Sequence, residues 1–332
     1  MGHGKLRKFA ENETFACLLQ PSSEQLLDKA AGPGLHVSDH PVKGHWCERM
    51  FDAPRPIVLE LGCGKGDYTI ALAERHPELN FIGVDIKGAR LWKGAKYATE
   101  QGLRNVAFLR TRIEFITAFF APGEVSEIWL TFSDPQLRGS DNKRLTSPLF
   151  LERYRAFLRP GGVIHLKTDS RFLHEYTRAV IAANGLHTLV CNTDIYASSA
   201  GKADAGAEEG CSVWRACPPP DRGRGRGPLD TSSCEAGTQE TVGGAGASEG
   251  CGVPQHGVTS GAEAPAFPAE GAVDAEVTGI QTFYERMFLQ MGLPITYLRF
   301  TIDHEGPYVA PEDFDAPYWR AEEGPRRTFG HQ

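Results

Sequence analysis

From Pro56 onward the chain alternates short apolar runs with amphipathic stretches, and this alternation restricts its fold more than any other feature. Strands are expected at 57–61, 81–85, 106–109, 128–132, 163–167, 186–191 and 295–302. Helices are expected at 68–75, 89–101, 113–120, 148–158, 172–183 and 282–291, where apolar residues such as Ala89, Trp92 and Ala95 recur at helical spacing. Parallel strands need long crossovers, so repeated strand–helix units predict a doubly wound α/β fold. The expected sheet is mostly parallel and seven-stranded, with helices on both faces.

The alternation breaks once. Residues 198–279 are rich in Gly, Ala, Ser, Glu and Pro, and offer little apolar surface to offset the entropy of ordering. They are expected to form a disordered insertion inside one domain built from 56–197 and 280–302. Residues 1–55 are expected to be a basic arm and irregular lead-in with a short helix at most, and 303–332 an irregular tail. Cys211, Cys217, Cys234 and Cys251 lack the paired spacing of metal ligands, and Cys17, Cys47, Cys63 and Cys191 are scattered, so reduced thiols and no metal are expected.

The net charge of −7 looks wrong for a nucleic-acid binder. Between Ser198 and Glu276, however, five basic residues face twelve acidic ones, which leaves the rest of the chain neutral by count. Basic residues there cluster at Lys5, Arg7 and Lys8, and again at Arg138, Lys143 and Arg144. Such clusters can hold phosphates, so net acidity does not exclude RNA. No apolar run approaches the roughly 18 residues needed to span a bilayer, and no signal segment opens the chain, so a cytoplasmic protein is expected.

The chemistry begins where the first strand meets the first helix, at Glu60-Leu61-Gly62-Cys63-Gly64-Lys65-Gly66. A dinucleotide fingerprint needs a further glycine at position 67, which is Asp67. The pattern E-x-G-x-G-x-G instead resembles the first motif of S-adenosylmethionine-dependent methyltransferases, whose cationic ligand has no phosphate to cradle. Asp85 ends the second strand nineteen residues past Gly66, where a carboxylate can bind both ribose hydroxyls of an adenosine. The fourth strand runs into Phe132-Ser133-Asp134-Pro135-Gln136 at the same edge of the sheet.

Further blocks narrow the resemblance. Lys5-Leu6-Arg7-Lys8-Phe9, Phe132-Ser133-Asp134-Pro135, Asn142-Lys143-Arg144-Leu145, Lys167-Thr168-Asp169 and Thr282-Phe283-Tyr284-Glu285 are similar, in order, to the blocks of the tRNA (guanine-N7-)-methyltransferase family. The resemblance implies methyl transfer from S-adenosylmethionine to a variable-loop guanine of tRNA, with no obligate protein partner evident. It implies cofactor contacts from Glu60, Gly62, Gly64, Gly66, Asp85 and Asp134, the last also catalytic. It implies substrate contacts from Arg138, Lys143, Arg144, Asp169, Thr282 and Glu285. Two departures stand out: the family's Pro-Asp-Pro-Trp reads Ser-Asp-Pro-Gln, and its acid after the third strand is replaced at Thr111 and Arg112, the expected adenine contacts. A methyltransferase of small molecules or of another RNA would share the glycine loop and Asp85, and a non-catalytic tRNA-binding subunit would share the fold.

Overall fold

In a computed structural model of the chain, which describes residues 3–28, 32, 34–138, 140–197, 273–312 and 314–327, the expected alternation builds a single mixed sheet. Helix α1 (His3–Asn12), strand β1 (Leu18–Leu19) and the short helices α2 (Ser23–Leu26) and α3 (Trp46–Arg49) come first. They lead into β2 (Ile57–Leu61), α4 (Asp67–Arg75), β3 (Asn80–Asp85), α5 (Gly88–Gln101), β4 (Val106–Arg110) and β5 (Val125–Thr131). Then come α6 (Pro148–Arg155), β6 (Leu158–Thr168), α7 (Arg171–Ala183) and β7 (Thr188–Asn192). Beyond 272 follow α8 (Ala275–Gly279), α9 (Phe283–Gln290), β8 (Thr296–Thr301) and α10 (Ala316–Arg327).

The strand order is β1-β4-β3-β2-β5-β6-β8-β7. All pairings are parallel except those of β8, which runs antiparallel to both β6 and β7. The order explains the apolar runs. Successive side chains of a strand point to opposite faces, and both faces here are covered. Leu59, Ile82, Ile128 and Ile164 pack with Phe119, Phe157 and Tyr176 on one side. Val58, Phe81, Phe108 and Trp129 pack with Leu72 and Leu91 of α4 and α5 on the other. Strands buried on both faces read as continuous apolar segments rather than alternating ones.

The structure departs from the sequence expectations at five places. The sheet has eight strands, not seven, because Leu18 and Leu19 pair with Phe108 and Leu109 along the outer edge of β4. The basic arm is a full helix held on α5: the Asn12 side-chain amide donates to Gly88 O (2.9 Å), the Trp92 indole donates to Glu11 (2.6 Å), and Lys8 lies 4.6 Å over the Trp92 ring. Residues 113–118 form a 3₁₀ helix rather than an α-helix. The tail forms α10. Residues 275–279, expected in the insertion, form α8, with Val277 fully buried.

Segment 273–280 is fixed because it covers polar groups on the sheet that need partners. The Lys167 ammonium donates to Val277 O and to Ile280 O (3.0 Å), Arg75 donates to Gly279 O (2.8 Å), and Arg299 pairs with Asp274 (2.9 Å). The remainder of the expected disordered insertion, 198–272, lies outside the described residues, as do its four cysteines. Cys17, Cys47 and Cys63 are free thiols, as expected, whereas Cys191 is disulfide-bonded.

Candidate active site

The parallel strands β4, β3, β2, β5 and β6 all end at one edge of the sheet, and chain order reverses between β2 and β5. Crossovers leave in opposite directions from such a point, and a crevice opens there. A cleft of about 1020 Å³ occupies it. Gly62, Gly64, Asp85, Thr111, Asp134 and Asp169 all reach its wall from the ends of five neighbouring strands or the loops after them.

The glycine loop has its form for two reasons. Gly62, Gly64 and Gly66 have φ of 82°, 60° and 75°, a region open to glycine at little cost. A Cβ on Gly62 or Gly64 would meet nothing within 4 Å, so the space beside both is the cleft itself. Gly66 does not line the cleft; it caps α4, and a Cβ there would come 2.6 Å from Phe108 Cε1. Its role is packing and the turn, not contact.

Two carboxylates hold this loop. Asp85, mostly buried, accepts from Gly64 N (3.0 Å) and Lys87 N (2.6 Å), which leaves lone pairs on both oxygens for further donors. Glu60 accepts from Thr69 N (2.8 Å) and from the hydroxyls of Thr69 and Thr131, tying β2 to the start of α4 and the end of β5. Burial pushes the Glu60 carboxyl above its ordinary range, and hydrogen bonds from Thr131 and Thr69 oppose the shift. Burial, with the charge of Glu60, likewise holds the Cys63 thiol well above its ordinary range, so this cysteine is no nucleophile. Thr69 and Thr131 were not legible as site residues, because a threonine in a strand or helix has no local signature.

An adenosylated sulfonium suits these residues. Asp85 has acceptor lone pairs that a ribose diol could meet, the open space beside Gly62 and Gly64 admits a ligand close to backbone, and Glu60 also lines the cleft. Thr111 and Arg112 line the cleft as expected, alongside Ile86 and Ile113.

Loop 133–136 follows β5 at the same edge of the sheet. Phe132 and Gln136 have φ of 50° and 52°, the only non-glycine residues with positive φ among those described. Such conformations cost of order 1–3 kcal/mol each and persist where the surroundings enforce them. Between them Asp134 is exposed to the cleft, and its Oδ1 accepts from Gln136 N (2.9 Å). Asp169 and Lys143 reach the same cleft, and so does Thr282 at the start of α9.

Three residues expected at the substrate do not line the cleft. Arg144 is fully buried, bonded to Asp141 (2.6 Å) and to Pro135 O (3.1 Å), so it cannot meet a phosphate. Glu285 is also fully buried: it pairs with Lys167 (2.7 Å), accepts from the Tyr196 hydroxyl (2.7 Å), and closes a capping box with Thr282. The T-x-x-E spacing is therefore a helix N-cap, and of the two residues that define it only the threonine reaches the cleft. Arg138 is exposed but does not line the cleft. Conversely, Phe283, Tyr284 and Met287 of α9, not singled out as site residues, line the cleft as an apolar wall, with Phe283 54% exposed. Glu322 and Glu323 of α10 also reach the cleft, where no feature of the tail suggested it.

Comparison with known proteins agrees with this geometry. A family profile described as "Putative methyltransferase" matches residues 54–205. A tRNA (guanine-N(7)-)-methyltransferase of Christiangramia forsetii is 40% identical over 299 residues, spanning 90% of this chain and 97% of that protein. Proteins of the same name from Bacteroides thetaiotaomicron and Porphyromonas gingivalis are 50% and 54% identical, over 60% and 48% of this chain and 75% and 65% of theirs. With the glycine loop, Asp85 and Asp134 converging on one cleft, and a relative matched along nearly its whole length, the chain belongs to the tRNA (guanine-N7-)-methyltransferase family.

Proposed function

We propose that this chain methylates the variable-loop guanine of tRNA at N7, in the cytoplasm and without an obligate protein partner, with Asp134 as the carboxylate that holds the reacting base. Family membership makes it an S-adenosylmethionine-dependent tRNA (guanine-N7-)-methyltransferase. The finer reading rests on one observation: Asp134 stands on a strained loop in the same cleft as the glycine loop and Asp85. Among the described residues no helix is long and apolar enough to cross a membrane.

The donor, when bound, supplies an electrophilic methyl group on a sulfonium. Asp85, Gly62, Gly64, Thr111, Arg112 and Glu60 would hold it. Guanine N7 has an in-plane lone pair and no proton to lose, so the protein needs to align the ring more than to remove a proton. Asp134 and Asp169 can accept from the guanine N1–H and amino group. Carboxylates there orient the purine and favour the positive charge it gains on methylation. Lys143 and Thr282 stand at the same cleft to hold the neighbouring nucleotides. Arg138, exposed outside the cleft, suits a more distant phosphate.

The test is to incubate the purified chain with S-adenosylmethionine and unmodified tRNA, digest to nucleosides and identify products by mass spectrometry. 7-Methylguanosine is expected, mapped by strand scission to the variable loop; methylation of another base or position refutes the reading. Asp134→Ala is expected to lower kcat by about 100-fold or more while cofactor affinity changes much less. A near-normal rate would move the role to another group.

A further inference from the structure

We propose that Arg144 is a positioning residue for methyl transfer, acting through the loop that carries Asp134 and not through a tRNA phosphate. The proposal rests on the reading of Asp134 as the base-holding carboxylate.

Arg144 has no exposed surface, yet its guanidinium is placed with unusual care. Its Nε donates to Pro135 O (3.1 Å) and an Nη lies 3.4 Å from Gln136 O, the two carbonyls directly after Asp134. The other Nη pairs with Asp141 at 2.6 Å. Its Cζ lies 4.7 Å from the Phe172 ring and 4.5 Å from the Tyr176 ring, both on α7. Buried charge is costly unless paired and hydrogen-bonded, and here the guanidinium has one carboxylate, two carbonyls and two aromatic rings beside it.

The loop needs such a clamp. Phe132 and Gln136 bracket Asp134 in left-handed conformations that non-glycine residues leave readily when unconstrained. Arg144 grips the carbonyls on the Gln136 side, and the Gln136 amide donates to Asp134 Oδ1 at 2.9 Å. The line of force runs from guanidinium to carbonyls to amide to carboxylate. The same guanidinium packs on Phe172 and Tyr176 of α7, which fixes it beneath the loop. A planar fork holds two carbonyls and an acid at fixed angles while its face lies near aromatic rings, whereas a lysine ammonium, a compact point donor, reproduces neither that planar geometry nor the ring contacts.

The decisive variant is Arg144→Lys, which keeps the charge and loses the fork. Expected is a fall in kcat of about 100-fold, the cost of misplacing a reacting group by about 1 Å. The dissociation constant for tRNA and its salt slope should match wild type. In single-turnover assays Asp134→Ala/Arg144→Lys should be no slower than Asp134→Ala alone, because a residue acting only through Asp134 has nothing left to position. Weaker tRNA binding with a salt slope shallower by about 1 would identify a phosphate contact and overturn the proposal. Rate losses that multiply in the double variant would overturn it as well. A near-normal rate for Asp134→Ala alone would instead fault the reading of Asp134. Arg144→Gln, a neutral donor at the same place, is judged by the same measures. Loss of cooperative thermal unfolding in both variants would show the arginine to serve the fold, and would also overturn the proposal.

Discussion

Replacing Glu285 with glutamine separates a structural from a substrate-binding role for the T-x-x-E block. The change is nearly isosteric: the amide oxygen can still accept from Tyr196, and the N-cap can persist, so what is lost is charge. Lys167 then remains as a fully buried ammonium facing two carbonyls and an amide. Burial already pushes the Lys167 pKa below its ordinary value, and Glu285 is what holds it up. Removing one partner of a buried pair typically costs about 3–5 kcal/mol. Deprotonating the lysine offers an escape, and at pH 7 that costs about 4.6 kcal/mol from an ordinary pKa near 10.4, which bounds the loss from above. At about 2–4 °C per kcal/mol for a domain of this size, the thermal midpoint should fall by roughly 6–18 °C. The sign of its pH dependence follows. With Glu285 gone, the folded-state pKa of Lys167 drops far below its unfolded value, so the unfolded state binds the extra proton. The deficit of the variant should therefore shrink as pH rises toward about 10, by at most about 1.4 kcal/mol per unit. Lys167→Met/Glu285→Gln should recover most of the loss, since apolar replacement of a buried pair is often neutral. The assay is thermal unfolding across pH, with kcat on tRNA measured well below the midpoint. An unchanged midpoint with a kcat reduced about 100-fold would refute this reasoning and return Glu285 to the substrate.

Two further outcomes are expected. Joining Ala197 to Val273 through a short linker should leave a folded, active enzyme, because each side is anchored separately: Ile195 N donates to Ile295 O (2.9 Å) and Arg299 holds Asp274. Loss of cooperative unfolding would show that 198–272 contributes to the core, and weaker tRNA binding with a shallower salt slope would give Arg222, Arg224 and Arg226 an RNA role. His174, buried on α7, has its pKa lowered from 6.5 to about 3 by desolvation and by Arg178 and Arg171, so the folded state keeps it neutral while the unfolded chain takes up a proton. Stability from this group is present above pH 6.5 and is lost as pH falls toward 3, at about 1.4 kcal/mol per unit. His174→Gln should flatten that acid limb in urea titrations, and an unaltered slope would refute the assignment.

What could be read in advance divides along a physical line, between features set by neighbours in sequence and features set by neighbours in space. Strands β2 to β6 declared themselves because burial on both faces forces continuous apolar runs, and the glycine loop did so because its backbone conformations demand glycine at fixed intervals. Asp85 and Asp134 were legible because strand ends mark the ligand edge of such a sheet. Arg144 and Glu285 misled for the converse reason. A basic residue in a run of basic residues, or an acid in a motif, looks like a surface group until the fold supplies Phe172 and Tyr176 on one side, or Lys167 on the other. The same holds for α1, whose charges signalled a free arm while Phe9, Asn12 and Glu11 found partners on α5 and β4. In each case long-range partners convert an apparent binding group into a support for one. The family motif then records both kinds of residue without distinguishing them. Thr282 and Glu285 stand three residues apart in one block, the first on the wall of the cleft and the second beneath it, holding the helix that brings the first into place.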